Sequence, residues 1–368
     1  MPNTLAQPAP SRELAQHTWN LVIGLCAPLS WEMERLPEPA EWEAVGGILQ
    51  QLRFGALAYH NLKARGHLDD VPSNVADRLQ SEHAHALARY HMLGAMVVPH
   101  LKAFAAQIEF IVLKGTAWAH AVYPSPHLRQ WGDLDLLVRP KEVPRAVAAL
   151  ESLGFESDYG LGAEHGPTFR LWNASGEQVY MELHPDVSRP GAYPYLRGWD
   201  VWDQPRAVEM WGGLFLTPML EIGYVSTLFQ LCWDLWQGAY ARYVVDHMYF
   251  DAAPGLNRDL AADMTRASGV RGVEHFVRCM TLCGDWAAPP HRLAGMGGGF
   301  LRRHPGVLLR HTASRTLRSL RAVAATLLWD HWDDRSRFYR DFLGHLPGRA
   351  VNRCRLILQA THGPRRAH

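Results

Sequence analysis

Asp133 and Asp135, one residue apart in Gly132-Asp133-Leu134-Asp135-Leu136-Leu137-Val138, are the residues most able to do chemistry. The stretch alternates acid and leucine, then runs apolar until Arg139-Pro140 ends it, which predicts a strand. Side chains two apart on a strand share a face, so both carboxylates project together while Leu134 and Leu136 turn into the core. Adjacent carboxylates repel and resist desolvation, and removing one charge is expected to relieve the fold. A divalent cation removes the same penalty: Mg²⁺ prefers carboxylate oxygens and keeps waters that a phosphate can replace. Asp-x-Asp alone is common at solvated strand edges. The order around it is more specific: an apolar run at 110–113, the Lys114-Gly115-Thr116 turn, a helix, Arg129, then the acidic strand.

Several residues could complete such a site. A helix over 116–122 would start at the Lys-Gly-Thr turn, and a helix N-terminus offers free N–H groups to a phosphate. Lys114 is one of four lysines against thirty-three arginines; it either contacts phosphate or stands exposed at a strand end. Arg129 either reaches a triphosphate, braces a carboxylate or forms a surface ion pair. Residues 168–172 and 178–183 read as two strands joined by Asn173-Ala174-Ser175-Gly176, a hairpin turn. Glu182 falls among apolar neighbours there, where a carboxylate needs a partner. A metal shared with the aspartates would be one. His184 either contacts substrate or holds the strand end.

Leu113-Lys114-Gly115, Tyr123-Pro124, Arg129, the stretch from Gly132 to Val138 and Glu182-Leu183-His184 together resemble the bacterial uncharacterised nucleotidyltransferase family, a branch of the polymerase-beta-like superfamily. The resemblance runs over 42–278 and is strongest over 110–184. It implies an α+β fold: a polymerase-beta-like nucleotidyltransferase core, a small mixed sheet with helices, flanked by N- and C-terminal helical regions. It also implies that Gly115 and Thr116, with Lys114 and Arg129, hold the triphosphate. Asp133 and Asp135 would bind two Mg²⁺, and Glu182 would supply the third carboxylate. Asp246 aligns with an aspartate common in the family, placed behind the metal site or on the acceptor side. Threonine stands here for the family's serine, glutamate for its third aspartate, and the stretch between turn and acidic pair is long. The implied reaction moves an NMP from an NTP to a hydroxyl or phosphate of a small molecule, peptide or protein rather than nucleic acid. A phosphotransferase using the same metals is one rival. Another is a degenerate module that only binds a nucleotide or partner, although an intact trio of acids argues against it.

The elements that must position these residues are mostly helical. At 368 residues the chain exceeds one ordinary core. It divides into an arm (1–10), a helical domain (11–106), the core (107–215), a second helical domain (216–290) and a Gly-rich linker with an Arg-rich helical tail (291–368). Hydrophobic residues make up 48% and charged ones 20%, a globular profile, and a net charge of +1 argues against wholesale nucleic-acid binding. Residues 301–368 nonetheless carry fourteen arginines, four aspartates and no lysine or glutamate, which suits a membrane surface, an acidic partner or docking on the chain's own body. Five scattered cysteines, no basic leader and no long apolar stretch predict a cytoplasmic protein with reduced thiols. His83, His85 and His91 share no helix face, which predicts solvated histidines. Trp233 and Trp236 read as core or as the wall of an acceptor cleft.

Overall fold

The computed structural model describes residues 12–33, 35–157, 167–187, 196, 199–234 and 240–268. Four helices come first: α1 (Arg12–Cys26), α2 (Trp42–Leu52), α3 (Gly55–Arg65) and α4 (Ser73–Ala105). Arg53, with its left-handed backbone (φ 59°), closes α2 before α3 starts. Helix α4 then runs 33 residues, through Pro99, and delivers the chain into the sheet.

The order that follows is β1 (Phe110–Val112), α5 (Lys114–Ala121), β2 (Asp133–Val138), α6 (Val143–Ser152), β3 (Glu156–Ser157), β4 (Thr168–Trp172) and β5 (Gln178–His184). These strands form one mixed sheet in the order β1-β2-β5-β4-β3. Strand β2 pairs antiparallel with β1 and parallel with β5, and the β3–β4 and β4–β5 pairs are antiparallel. This is the small mixed sheet with helices expected for the core. The hairpin from β4 to β5 turns where Asn173 accepts hydrogen bonds from the N–H groups of Ser175 (2.9 Å) and Glu177 (2.8 Å). Gly176 supplies the positive φ of 80° that the turn demands. Pro140 opens a 3₁₀ turn (Pro140–Glu142) rather than α6 itself.

A second sheet, absent from the sequence reading, is the hairpin of β6 (Arg206–Met210) and β7 (Gly213–Thr217). Its turn presses the Trp211 indole against α4 at Gly94, where a Cβ would lie 2.3 Å from Trp211 Cδ1. Helices α7 (Leu220–Asp234), α8 (Tyr240–Asp251) and α9 (Arg258–Ala267) complete the described chain. One buried apolar cluster includes residues of the early helices, both sheets and the last helices. Among the described residues no helix is long and apolar enough to cross a membrane. The arm, the Gly-rich linker, the Arg-rich tail, Trp236 and the side chains of Trp233 and Cys232 lie outside the described residues, as do Cys279, Cys283 and Cys354.

Leu134 and Leu136 are fully buried, as the alternation of β2 requires, and Asp135 between them is 3% exposed. Both faces of β2 are therefore covered. Truncating a buried leucine removes its transfer free energy and leaves a cavity. Leu136→Ala is expected to cost about 2–5 kcal/mol in urea unfolding; a loss under 1 kcal/mol would mean that β2 is not central to the core.

Candidate metal and nucleotide site

Parallel pairing of β2 with β5 sets Asp133 opposite Tyr180, Asp135 opposite Glu182 and Leu137 opposite His184. Alternation then places Asp133, Asp135, Glu182 and His184 on one face of the sheet. Ligand atoms of Asp135, Glu182 and His184 lie within 4.8 Å of one another. His184 Nε2 lies 2.7 Å from Asp135 Oδ1 and 3.4 Å from Glu182 Oε2. The Lys114 ammonium donates to the same Asp135 Oδ1 at 2.9 Å and stands 3.4 Å from His184 Nε2.

The electrostatics divide the two aspartates. Burial raises Asp133, the Asp135 and Glu182 charges raise it further, and its pKa moves from 3.8 to about 6. Burial would raise Asp135 too, but the Lys114 ammonium and the hydrogen bond to His184 hold its carboxyl well below the usual range. Glu182 is lowered by its hydrogen bond to His184 against the effect of burial. His184 resists burial through its carboxylate partners, which raise its pKa. The repulsion expected of the acidic pair thus falls on Asp133. Asp135 is already neutralised, so stripping its charge would take the counter-charge from Lys114 and weaken the bond to His184 instead of relieving the fold.

Arg129 takes the second of its three expected roles, with a different carboxylate. It is 7% exposed and grips the fully buried Asp246 of α8 bidentately, Nε to Oδ1 at 2.9 Å and Nη2 to Oδ2 at 2.8 Å. The Tyr123 hydroxyl donates to Asp246 Oδ1 at 2.7 Å. With no exposed surface and both oxygens engaged, Asp246 is not a group an acceptor can touch; it braces Arg129. The Arg129 guanidinium in turn lies over Trp118, 5.4 Å from the ring centre, and against Gly115. A Cβ on residue 115 would meet Arg129 Nη1 at 2.3 Å, so glycine is required there for packing. Thr116 is buried, and its hydroxyl has no hydrogen-bond partner among the described residues. The α5 N-terminus begins at Lys114, itself in the left-handed region (φ 46°).

Asp135, Glu182, Lys114 and His184 therefore converge, with Asp133 on the same face but outside the group whose ligand atoms lie within 4.8 Å of one another, while Arg129 and Asp246 form a buried brace behind the turn. The spacing Glu182-x-His184 on a strand could have placed His184 beside Glu182 from the sequence. Nothing local announced Tyr123 as a partner of Asp246, 123 residues away. His83 is not simply solvated: its ring contacts Tyr59 and His127, with 3.1 Å between the His83 and His127 Nε2 atoms.

The profile of the uncharacterised nucleotidyltransferases matches residues 38–286. The chain belongs to this family. Among solved structures it is similar to an antigenic nucleotidyltransferase-like protein from Paracoccidioides brasiliensis, with 14% identity, a TM-score of 0.33, and coverage of 47% of this chain and 86% of that one. No curated protein matches the sequence. In this nucleotidyltransferase-family chain, the buried Asp/Glu/His group can hold a metal ion. Two carboxylates and an imidazole suit Mn²⁺ or another transition ion as well as Mg²⁺, which favours oxygen ligands throughout.

Two outcomes follow from the charges. Folding raises the Asp133 pKa, so its contribution to stability is fully present below pH 3.8 and is lost as the pH climbs through about 6. Asp133→Asn, in chelator-treated buffer, should gain about 1–3 kcal/mol over wild type at pH 8 and nothing near pH 3.5, read from urea midpoints. Asp246→Asn leaves Arg129 buried without its counter-charge and should lose about 3–5 kcal/mol in thermal or urea unfolding. A surface-like loss below 1 kcal/mol would contradict the brace.

Proposed function

We propose that the chain is a metal-dependent nucleotidyltransferase that moves an NMP from an NTP to a hydroxyl or phosphate of a small molecule, peptide or protein. The observation that carries this reading is the Asp135–Glu182–His184 cluster, assembled by parallel pairing of β2 with β5 and set beside the N-terminus of α5 by antiparallel pairing of β1 with β2. Family membership supports the nucleotide as substrate.

In this reading the acceptor oxygen attacks the α-phosphorus, the bond to the bridging oxygen breaks, and pyrophosphate leaves. Divalent cations would supply charge stabilisation to the attacking and leaving oxygens. Asp135 and Glu182, with Asp133 on the same face, would hold them, and Mg²⁺ is the ion the family resemblance implies. Glu182, held ionised by its His184 bond and 20% exposed, is in the state to help hold an ion, and in this reading it also takes the acceptor's proton. Backbone N–H groups at Lys114, Gly115 and Thr116, the start of α5, would face the β- and γ-phosphates, while the Thr116 hydroxyl itself is buried.

A cavity of about 940 Å³ lies past the C-terminal ends of β2 and β5, lined by Leu137, Arg139, Pro185, Trp199 and Trp202 among others and by none of the cluster residues. Its size suits a nucleoside or an acceptor of drug-like dimensions.

The test is incubation of the protein with each NTP, a divalent metal and cell extract, using label at the α- or the γ-phosphate. Acceptor labelling from α-labelled NTP, lost by orders of magnitude in Asp135→Asn, is the expected result. Labelling from the γ-position alone would assign phosphoryl transfer instead. NTP binding without transfer of either label would make the chain a binding module.

A further inference from the structure

Two cations stand beside the α5 turn, and they are held in opposite ways. Arg129 is locked: its planar fork meets both oxygens of a fully buried carboxylate and a tyrosine shares the load. Lys114 donates to Asp135 Oδ1 at 2.9 Å and stands 3.4 Å from His184 Nε2, at the end of a flexible stem that is 24% exposed. A lysine ammonium is a compact, strongly hydrated point charge that can leave such a contact, where a bidentate arginine cannot do so easily. In a chain with thirty-three arginines and four lysines, the releasable cation is the one placed on the carboxylate.

The atom it touches is contested. Asp135 Oδ1 accepts from both Lys114 and His184, and Asp135 is also one of the three residues able to ligate a metal. A divalent ion taking that oxygen would face an ammonium within a few ångströms, and like charges at that range in a partly buried site repel strongly. Lys114 must then swing away. Its backbone is the first residue of α5, so the ammonium is released at a helix N-terminus, where phosphate is favoured. The left-handed backbone at Lys114 (φ 46°), unfavourable for a non-glycine residue, is part of the arrangement that holds the side chain at this junction.

We propose that Lys114 is an exchangeable counter-ion: it competes with the divalent metal for Asp135 and is handed to the nucleotide's phosphates when the metal binds. Metal and nucleotide then reinforce one another through this side chain, because a nucleotide that draws Lys114 away opens Asp135 to the metal, and linkage requires the converse. The proposal rests on the metal-dependent nucleotidyl-transfer reading and assigns one residue the coupling within it.

The experiment titrates Mn²⁺ alone into the full chain and into Lys114→Met, following free Mn²⁺ by electron paramagnetic resonance, then repeats both with a non-hydrolysable NTP analogue. Without nucleotide, Lys114→Met should bind Mn²⁺ about ten-fold more tightly than wild type, a coupling of ordinary size. The analogue should tighten Mn²⁺ binding less in the variant than in wild type. Lys114→Arg, which retains the charge, should bind Mn²⁺ no better than wild type. Lys114→Gln, which keeps a donor for Asp135 without the charge, gives the same readout as methionine should Lys114→Met not fold. Wild type that binds Mn²⁺ while the neutral variants bind it equally or less well overturns the exchange and leaves the metal site standing. No Mn²⁺ binding by any of these proteins overturns the metal site and the exchange together.

Discussion

Ionised Asp135 sits 3% exposed in the middle of the sheet, and the surroundings of β2 are arranged to make that tolerable. A buried carboxylate without partners would cost several kcal/mol or take up a proton. Here Lys114 arrives from the start of α5 and His184 from the end of β5, and both aim at one oxygen. Bringing them there requires the mixed topology. Strand β1 must run antiparallel to β2 so that its end, and the turn after it, lies beside Asp135; the Leu113 N–H donates to the Asp135 carbonyl at 2.9 Å. Strand β5 must run parallel so that Glu182 and His184 come into register with Asp135 and Leu137. Changing either direction would separate the charges.

A second charge pair supports the first from behind. Asp246 belongs to α8, beyond the second sheet, yet it closes on Arg129 in the connection between α5 and β2. The guanidinium then fills the space over Gly115, which ties the position of the nucleotide turn to the packing of the C-terminal helices. Such a pair is not justified by stability alone, since a well-packed apolar substitute often does as well. Its directional fork fixes one geometry, and that geometry includes the start of α5. Trp118 lies under the Arg129 guanidinium, Trp131 packs at Gly115, and Trp211 packs edge-on against Trp131.

What could be read directly was what depends on near neighbours in the chain. Alternation in Asp133-Leu134-Asp135-Leu136 determined which side chains enter the core, and the Asn173-to-Gly176 turn determined the register of β4 against β5. The Lys-Gly-Thr turn marked where a helix would begin. Each of these is a period, a turn chemistry or a cap, and such signals act over a few residues. The β6–β7 hairpin escaped because its turn is Trp211-Gly212 rather than a familiar Asn-Gly or Asp-Gly. Its tryptophan adopts φ 49° because tertiary packing on Gly94 and Tyr90 overrides local preference.

By itself, then, the sequence determined the acidic strand, the glycine turn, the flanking helices and a face able to attract a divalent ion. Only the tertiary structure decided which charges meet. It gave the repulsion to Asp133 and the neutralising partners to Asp135, set Lys114 on that carboxylate, and buried Asp246 against Arg129. The reason is physical: a charge pair depends on distance through space and on the burial of both members. Residues 21, 49 and 117 positions apart in the chain acquire that distance and that burial only when the sheet and helices close around them.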